Sequence, residues 1–375
     1  MGTASLALPG LLIWLAILLL PWRPWSVRES LDALAPDPDS DLATVTVIIP
    51  ARNEAAVIGR TLRALAKQGK NLKVFVVDDQ STDGTAAEAA GAHLPALRLV
   101  NGAPLPPDWT GKLWAMEQAR VHVDTAFILQ LDADIELRPG TIPALLAVAT
   151  ESGAALVSVM ARLRMQGFWE LLLMPAFIFF FKLLYPFRLS NSGSPRVAAA
   201  AGGCILVRSE VLAAIGGYGA LRGELIDDCA LARKIRQHGH GTWIGLTRSA
   251  ISHREYHDLR TIRDMVARTA FSQLHFSSLL LLACTVLMLA AFALPLVSLV
   301  AGRPSAQVAA LITIVLMELS YFPTLRYYDV PLLWGLTLPL TGIFYLFMTW
   351  TSAFRHWFGS GAHWKDRHYP GAARS

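Results

Sequence analysis

Three short acidic clusters stand where apolar runs end. Pro50-Ala-Arg-Asn-Glu54 follows Val45–Ile49, Asp78-Asp79-Gln-Ser-Thr-Asp83 follows Val74–Val77, and Asp132-Ala-Asp134 follows Ala126–Leu131. Carboxylates gathered on one edge repel one another unless a cation or hydrogen-bond donors compensate them. Asp132-x-Asp134 at a strand terminus suits one hard divalent ion, Mg²⁺ or Mn²⁺, with coordination positions left for phosphate oxygens. Asp83 before Gly84 reads as a turn or cap residue. Lys112 opens a helix after the proline-rich loop Ala103–Thr110, where a lysine opposes the helix dipole unless an anion sits beside it. Asp227-Asp228 begins a further helix-like run ending at Gly239, with acidic residues on the favourable end of the dipole.

These residues need a scaffold that brings strand ends together. Strand-like runs at Val45–Ile49, Val74–Val77, Leu97–Val100, Ala126–Leu131, Ala155–Val159 and Cys204–Val207 alternate with helix-like runs at Glu54–Gln68, Thr85–Ala92, Lys112–His122 and Pro139–Ala149. That alternation predicts βαβ units, a doubly wound α/β domain with a mostly parallel sheet, and ligand binding beyond the carboxyl ends of the strands. Neither a P-loop nor a G-x-G-x-x-G after a strand occurs, so a P-loop nucleotidase and a dinucleotide dehydrogenase are not supported.

Composition places this domain at a membrane. Of 375 residues 54% are hydrophobic and only 16% charged, and mean hydropathy is +0.42; soluble domains carry about 25% charged residues. The net charge of +5 is spread beside apolar stretches rather than packed into a basic patch, which fits cytoplasmic flanks on anionic lipid and not nucleic acid. Cys204, Cys229 and Cys284 form no C-x-x-C pair, so a disulfide framework and a zinc site are not expected.

Leu6–Trp22 predicts a retained N-terminal transmembrane helix within 1–25, with Pro21–Trp25 as an interface anchor. Ser278–Val300, Val308–Phe322 and Leu332–Phe354 each approach the ~20 residues of a crossing, giving a C-terminal membrane region over 277–354. Between them, 40–276 is the expected cytoplasmic domain. Within it Phe168–Phe187 is apolar, but Glu170, Pro175, Lys182 and Pro186 argue against a crossing and for an interfacial segment over 168–187. Three C-terminal crossings would leave the basic tail 355–375 on the opposite side from the domain. Either one segment is re-entrant, with Pro339 as a break, or the tail lies outside; the sequence leaves both open.

Together these pieces resemble glycosyltransferase family 2, inverting enzymes with the nucleotide-diphospho-sugar (GT-A) fold. The matching runs are VTVIIPARNE at Val45–Glu54, VVDDQSTDGT at Val76–Thr85, LDAD at Leu131–Asp134 and IDDCALARKIRQHG at Ile226–Gly239, in order across Thr44 to Gly245. More narrowly the chain is similar to the hopene-associated glycosyltransferases of bacterial hopanoid pathways, through LPPDWTGKLWA at Leu105–Ala115, AAAAGGCILV at Ala198–Val207, VARTAFSQL at Val266–Leu274 and WKDRHY at Trp364–Tyr369.

The resemblance implies roles. Pro50, Glu54, Asp79, Lys112 and Asp132 fall on the nucleotide-sugar side, with Asp79 facing the base. Asp134 is the direct metal ligand, joined by Asp132, and Asp228 is the catalytic base. Gly202, Gly203 and Asp227 fall on the acceptor side, Asp227 departing from the family's usual glutamate. It implies a UDP-sugar or other nucleotide-diphospho-sugar donor, a divalent cation, a lipid acceptor, membrane lipid around the helices, and a multi-pass protein of the bacterial cytoplasmic membrane. Polyprenyl phosphate, ceramide and carotenoid are alternative acceptors. A non-catalytic nucleotide-sugar sensor would lack the base or metal carboxylates, and both sets are present. The Q-x-x-R-W motif of processive synthases is missing from Ile262–Ser277, which points to one transfer per acceptor.

Overall fold

The computed structural model describes residues 4–194, 197–359, 362–364 and 367–369. Its centre is an eight-stranded sheet built from β1 (Val45–Ala51), β2 (Lys73–Asp78), β3 (Leu97–Asn101), β4 (Phe127–Leu131), β5 (Ile135–Leu137), β6 (Ala154–Arg162), β7 (Cys204–Arg208) and β8 (Gly241–Ser252), in the order β3-β2-β1-β4-β7-β6-β8-β5. Every residue of β1 is buried, because helices cover both faces, and such strands read as continuous apolar runs. Val45, Val47 and Ile49 face one core with Leu62, Leu129 and Ile142. Ile48 points the other way, to Leu113, Ile205 and Leu231. The period of two along the strand splits the core into two layers.

The sheet is mixed rather than mostly parallel. β3, β2, β1 and β4 run parallel, but β7 is antiparallel to both β4 and β6, and β5 is antiparallel to β8. The cause is connectivity: β6 leads into helices Phe168–Leu184 and Phe187–Asn191, and the chain re-enters the sheet from the same edge it left, with Cys204 at the start of β7 opposite Leu131 at the end of β4. β4, β6 and β8 nonetheless share one direction, so β6 and β8 finish on the same edge as β1, β2 and β4. The expected helices are present as Ala55–Leu65, Thr85–Ala90, Gly111–Arg120 and Thr141–Ser152. The apolar pattern does not foretell β5 and β8. β5 is only three residues long, and the apolar pattern of β8 is interrupted by Thr247-Arg248-Ser249.

Helix Phe168–Leu184 is packed inside protein along much of its length. Trp14 stacks on its Phe179, and Tyr321 lies against the same ring. Its two ionisable residues turn inward. Lys182 Nζ donates to the carbonyls of Trp25 (3.4 Å) and Ser26 (3.1 Å) and to Thr324 Oγ1 (2.9 Å). Glu170, fully buried, accepts from Arg164 Nη1 (2.9 Å) and from the backbone N–H groups of Gln166 (3.0 Å), Gly167 (3.1 Å) and Tyr256 (3.0 Å). Burial would push the Glu170 carboxyl up, but these donors outweigh it and hold the pKa below the usual value.

Among the described residues, three helices are long and apolar enough to cross a membrane: Ser278–Ala301, Pro304–Tyr327 and Leu332–Trp357. The N-terminal helix Ala4–Leu19 is shorter, at 16 residues, and Pro9 lies within it. It packs through Trp14, whose indole N–H donates to the carbonyl of Ala291 at 3.0 Å. Beyond Gly359 the expected tail is described only as the strand pair Ala362–Trp364 and Arg367–Tyr369; the rest of it lies outside the described residues.

Glu170→Ala removes an acceptor shared by four donors and strands Arg164 at the domain–helix seam. It should cost about 3 kcal/mol of unfolding free energy in detergent micelles, with Glu170→Gln, which keeps one carbonyl acceptor, costing less. Equal stability of wild type and Glu170→Ala would show that the four bonds contribute nothing to the seam.

Candidate active site

The acidic strand ends predicted from sequence meet on one edge of the sheet. β1 and β2 are in register, with Pro50 opposite Val77 and Ala51 opposite Asp78, so the turn after each strand lies beside the other. Asp79 is fully buried, and its backbone N–H donates to Ala51 O at 2.8 Å. Asp83 is a staple: its carboxylate accepts from the N–H groups of Ala55 (3.1 Å) and Thr85 (3.0 Å), at the starts of the helices that follow β1 and β2. That agrees with its reading as a cap residue. Glu54 precedes helix Ala55–Leu65, and its N–H donates to Thr85 Oγ1 at 2.8 Å.

Two basic residues answer the carboxylates of β4. Lys112 Nζ lies 2.7 Å from Asp132 Oδ1 and donates to Gly202 O at 3.2 Å. Burial by itself would lower the Lys112 ammonium; Asp132 first, then Asp227 and Asp228, outweigh it and raise its pKa, so this lysine stays charged. Burial raises Asp132 despite the opposing pull of Lys112. The helix beginning at Gly111 is capped by Thr110, whose hydroxyl accepts from Leu113 N–H at 3.4 Å. The lysine at the helix start is thus held by a carboxylate, which removes the conflict with the dipole that made it conspicuous in the sequence.

Arg254 supplies the second cation. Its Nη2 lies 2.8 Å from Glu54 Oε1 and 3.2 Å from Asp134 Oδ1. The other Asp134 oxygen accepts from the Ser252 hydroxyl at 2.6 Å, and Asp134 O accepts from His253 N–H at 2.9 Å. His253 Nε2 also lies 2.7 Å from Glu136 Oε2. The segment Ser252–Tyr256 therefore closes over the end of β4, and Tyr256 ties it to Glu170. Sequence reasoning stopped at Ser252 and missed Arg254. The available signal was a run of polar and charged residues, His253-Arg-Glu-Tyr-His-Asp258, emerging from an apolar strand.

Asp228 lies in the first turn of helix Asp227–Gln237 and accepts its neighbour's N–H, from Cys229, at 2.7 Å. Burial, and then the Asp227 charge, push its carboxyl up to about 6. A Cβ built on Gly202 would stand 3.2 Å from Asp228 Oδ2 and 3.4 Å from Lys112 Nζ. Glycine thus keeps open the gap between a carboxylate of raised pKa and a fixed ammonium. Gly203 acts through its backbone instead. Its carbonyl accepts from Asp132 N–H at 3.0 Å, and an added Cβ would press on Ile135 at 3.4 Å.

Asp132 and Asp134 present oxygen donors, now engaged by Lys112, by Arg254 and by the Ser252 hydroxyl. Among the described residues no group of three or more His, Cys, Asp or Glu side chains could hold a metal ion. Asp132 and Asp134 offer one or two carboxylates, and Mg²⁺-like ions are commonly held this way, with substrate phosphates and water completing the shell.

The family model for glycosyl transferase family 2 matches residues 46–216. A 4,4'-diaponeurosporenoate glycosyltransferase of Staphylococcus aureus (strain MRSA252) is 37% identical over 103 residues, 27% of each chain. The same-named protein of Staphylococcus haemolyticus is 32% identical over 96 residues, 25% of each chain. The matched segments thus span about a quarter of these relatives. Among solved structures, the mannosyltransferase PcManGT of Pyrobaculum calidifontis, in complex with GDP-Man and Mn²⁺, superposes with a TM-score of 0.56 at 23% identity, covering 91% of this chain and 99% of that one. These matches show a GT-A-like α/β fold with a mixed sheet and make residues 46–216 similar to glycosyl transferase family 2.

Proposed function

We propose that this protein is a membrane-bound inverting glycosyltransferase that moves a sugar from a nucleotide-diphospho-sugar to the hydroxyl of a lipid acceptor, with its domain facing the cytoplasm. The observation that carries the reading is the Gly202 gap, with Asp228 and Lys112 on its two sides and Asp132 and Asp134 beside it. Glu54 and Asp79 hold the nucleoside side of the donor, with Pro50 shaping the turn. Lys112 faces the diphosphate and stabilises the charge that grows on it as the anomeric carbon–oxygen bond breaks. Asp228 takes the acceptor's hydroxyl proton as the new carbon–oxygen bond forms on the opposite face of the sugar. One displacement by one base inverts the anomeric centre. A divalent ion bound through Asp134 and Asp132 would supply further charge compensation at the leaving diphosphate.

Several facts support parts of this reading. The GDP-mannose and Mn²⁺ of the Pyrobaculum mannosyltransferase support a nucleotide-sugar donor and a divalent ion. The three long apolar helices support a membrane setting. The hopanoid acceptor rests on sequence resemblance, whereas the named staphylococcal relatives favour a second reading with a carotenoid acid as acceptor. Membranes holding the protein, supplied with Mn²⁺, UDP- and GDP-sugars and either hopanoid or carotenoid lipid, separate the two by which lipid gains the mass of a sugar. Nucleoside diphosphate release without a lipid product would discard both acceptors, and no release with any donor would discard the transferase.

Asp228→Asn should lower kcat by about 10²- to 10⁴-fold while donor affinity is kept. Retention of the wild-type rate would remove Asp228 from the mechanism. Because the base works ionised and its pKa is raised to about 6, kcat/KM should climb as pH rises through that value and level off above it. The sign for stability is opposite. A folded-state pKa above the ordinary 3.8 makes ionisation costly to the fold. Asp228→Asn should therefore unfold at a higher temperature than wild type above pH 6, and the gain should fade as pH falls below about 4. Gly202→Ala, which keeps both charged groups but sets a methyl against the Asp228 carboxylate and the Lys112 ammonium, should lose transfer; full activity in that variant would show that the acceptor does not approach past Gly202.

A further inference from the structure

The third apolar helix has both of its ends on the catalytic domain. At its start the Trp334 ring is 5.7 Å from Phe168; just before it, where the preceding helix ends, Tyr328 O accepts from Arg162 Nη2 at 3.2 Å and Arg248 lies 5.1 Å over the Tyr327 ring. Arg162 and Arg248 belong to β6 and β8, and Phe168 opens the helix that follows β6. At its end, Ser352 Oγ accepts from Phe271 N–H at 3.0 Å and Arg355 Nη2 lies 2.5 Å from Asp264. Asp264 lies in helix Leu259–Ala267, directly after the domain and before the first apolar helix begins. Its middle touches the same body, with Tyr345 Oη donating to Leu173 O at 2.9 Å and Phe344 packed 6.1 Å from Trp169.

A helix that crossed would behave differently. The α-helical part, Leu338–Trp357, has 20 residues and is about 30 Å long, so a crossing would carry one end a full hydrocarbon thickness from the domain. Pro304–Tyr327 shows that pattern. Its Tyr327 end meets β8 through Arg248, while its other end turns at Gly302-Arg303 onto the preceding helix, where Gln307 Nε2 donates to Leu299 O at 3.2 Å.

We propose that Leu332–Trp357 does not cross the bilayer but lies along the leaflet on the catalytic side, so that the carboxyl terminus and the catalytic domain share one side of the membrane. The proposal rests on the membrane reading above. Leu333, Leu340, Phe347 and Phe354 recur every seventh residue and are 75%, 48%, 59% and 49% exposed, forming one stripe along the helix for the acyl layer. The opposite face, with Leu338, Thr341, Gly342, Tyr345, Met348 and Ser352 buried, rests on protein. Pro339 sits in the first turn after the 3₁₀ segment Leu332–Thr337, where a missing N–H is harmless. The parity conflict then disappears: Ser278–Ala301 leaves the catalytic side, Pro304–Tyr327 returns, and the basic residues after Trp357 stay on the side that positively charged flanks prefer.

The test is cysteine accessibility in right-side-out bacterial spheroplasts, using a membrane-impermeant maleimide on full-length Ser375→Cys and Arg303→Cys. Cys204 and Cys229 are buried and Cys284 lies within an apolar helix, so the wild-type chain supplies the background. Arg303→Cys should label on intact spheroplasts, and Ser375→Cys only after permeabilisation. Labelling of Ser375→Cys from outside, alongside Arg303→Cys, would mean that the third helix crosses and would overturn the proposal. Protection of both would overturn the two-crossing path it needs. Alkaline carbonate extraction separates the readings: a chain released into the soluble fraction would overturn the membrane reading itself, whereas a retained chain with the wrong labelling overturns the in-plane helix alone.

Discussion

Carboxylates drawn together on the edge of a sheet must be neutralised, and the rest of this structure is arranged around that requirement. Asp132 and Asp134 end the same strand, Glu54 enters from the turn after β1, and Asp227 and Asp228 open a helix nearby. Like charges so close, and partly out of water, would raise one another's pKa values and weaken the fold. Lys112 and Arg254 oppose this by placing an ammonium on Asp132 and a guanidinium between Glu54 and Asp134, although burial still leaves Asp132 raised. The two cations come from distant parts of the chain, so the site exists only when the whole sheet has formed.

Among the described residues, Asp228 has no such cation on its carboxylate in this edge, and burial raises it. Its neighbours leave it with a raised pKa while Lys112, across the Gly202 gap, stays fully charged. On the proposed function, a carboxylate of raised pKa and a fixed cation on either side of Gly202 are placed to accept a proton and stabilise an anion in one event. The space between them is kept by the backbone at Gly202-Gly203, where no side chain intrudes.

The segment Ser252–Tyr256 links this edge to the apolar helices. Ser252 and Arg254 bind Asp134 and Glu54, and Tyr256 N–H reaches Glu170 in the fully buried seam. The chain then runs through helix Leu259–Ala267 into the long apolar helices, and Asp264 of that helix meets Arg355 on return. Domain and helices therefore share buried polar contacts rather than a flexible linker. Such contacts hold orientation well, because breaking one leaves a charge stranded in an apolar setting.

Much of this was legible in the residues themselves. Six of the eight strands, the acidic strand ends and the three C-terminal apolar helices follow from local pattern: a strand covered on both faces must be apolar throughout, and a turn at its end must be polar. Asp83 could be read as a cap because one of its partners, Thr85, is two residues away. What local pattern does not contain is direction and distance. The antiparallel insertion of β7 depends on where two intervening helices return the chain. Arg254 could be assigned to Asp134 only once β8 lay beside β5, 120 positions along. Composition also treats any long apolar helix as a crossing, since length and hydropathy are scalar. Only the tertiary contacts of Trp334 with Phe168 and of Arg355 with Asp264 show that both ends of Leu332–Trp357 meet residues that precede the first apolar helix.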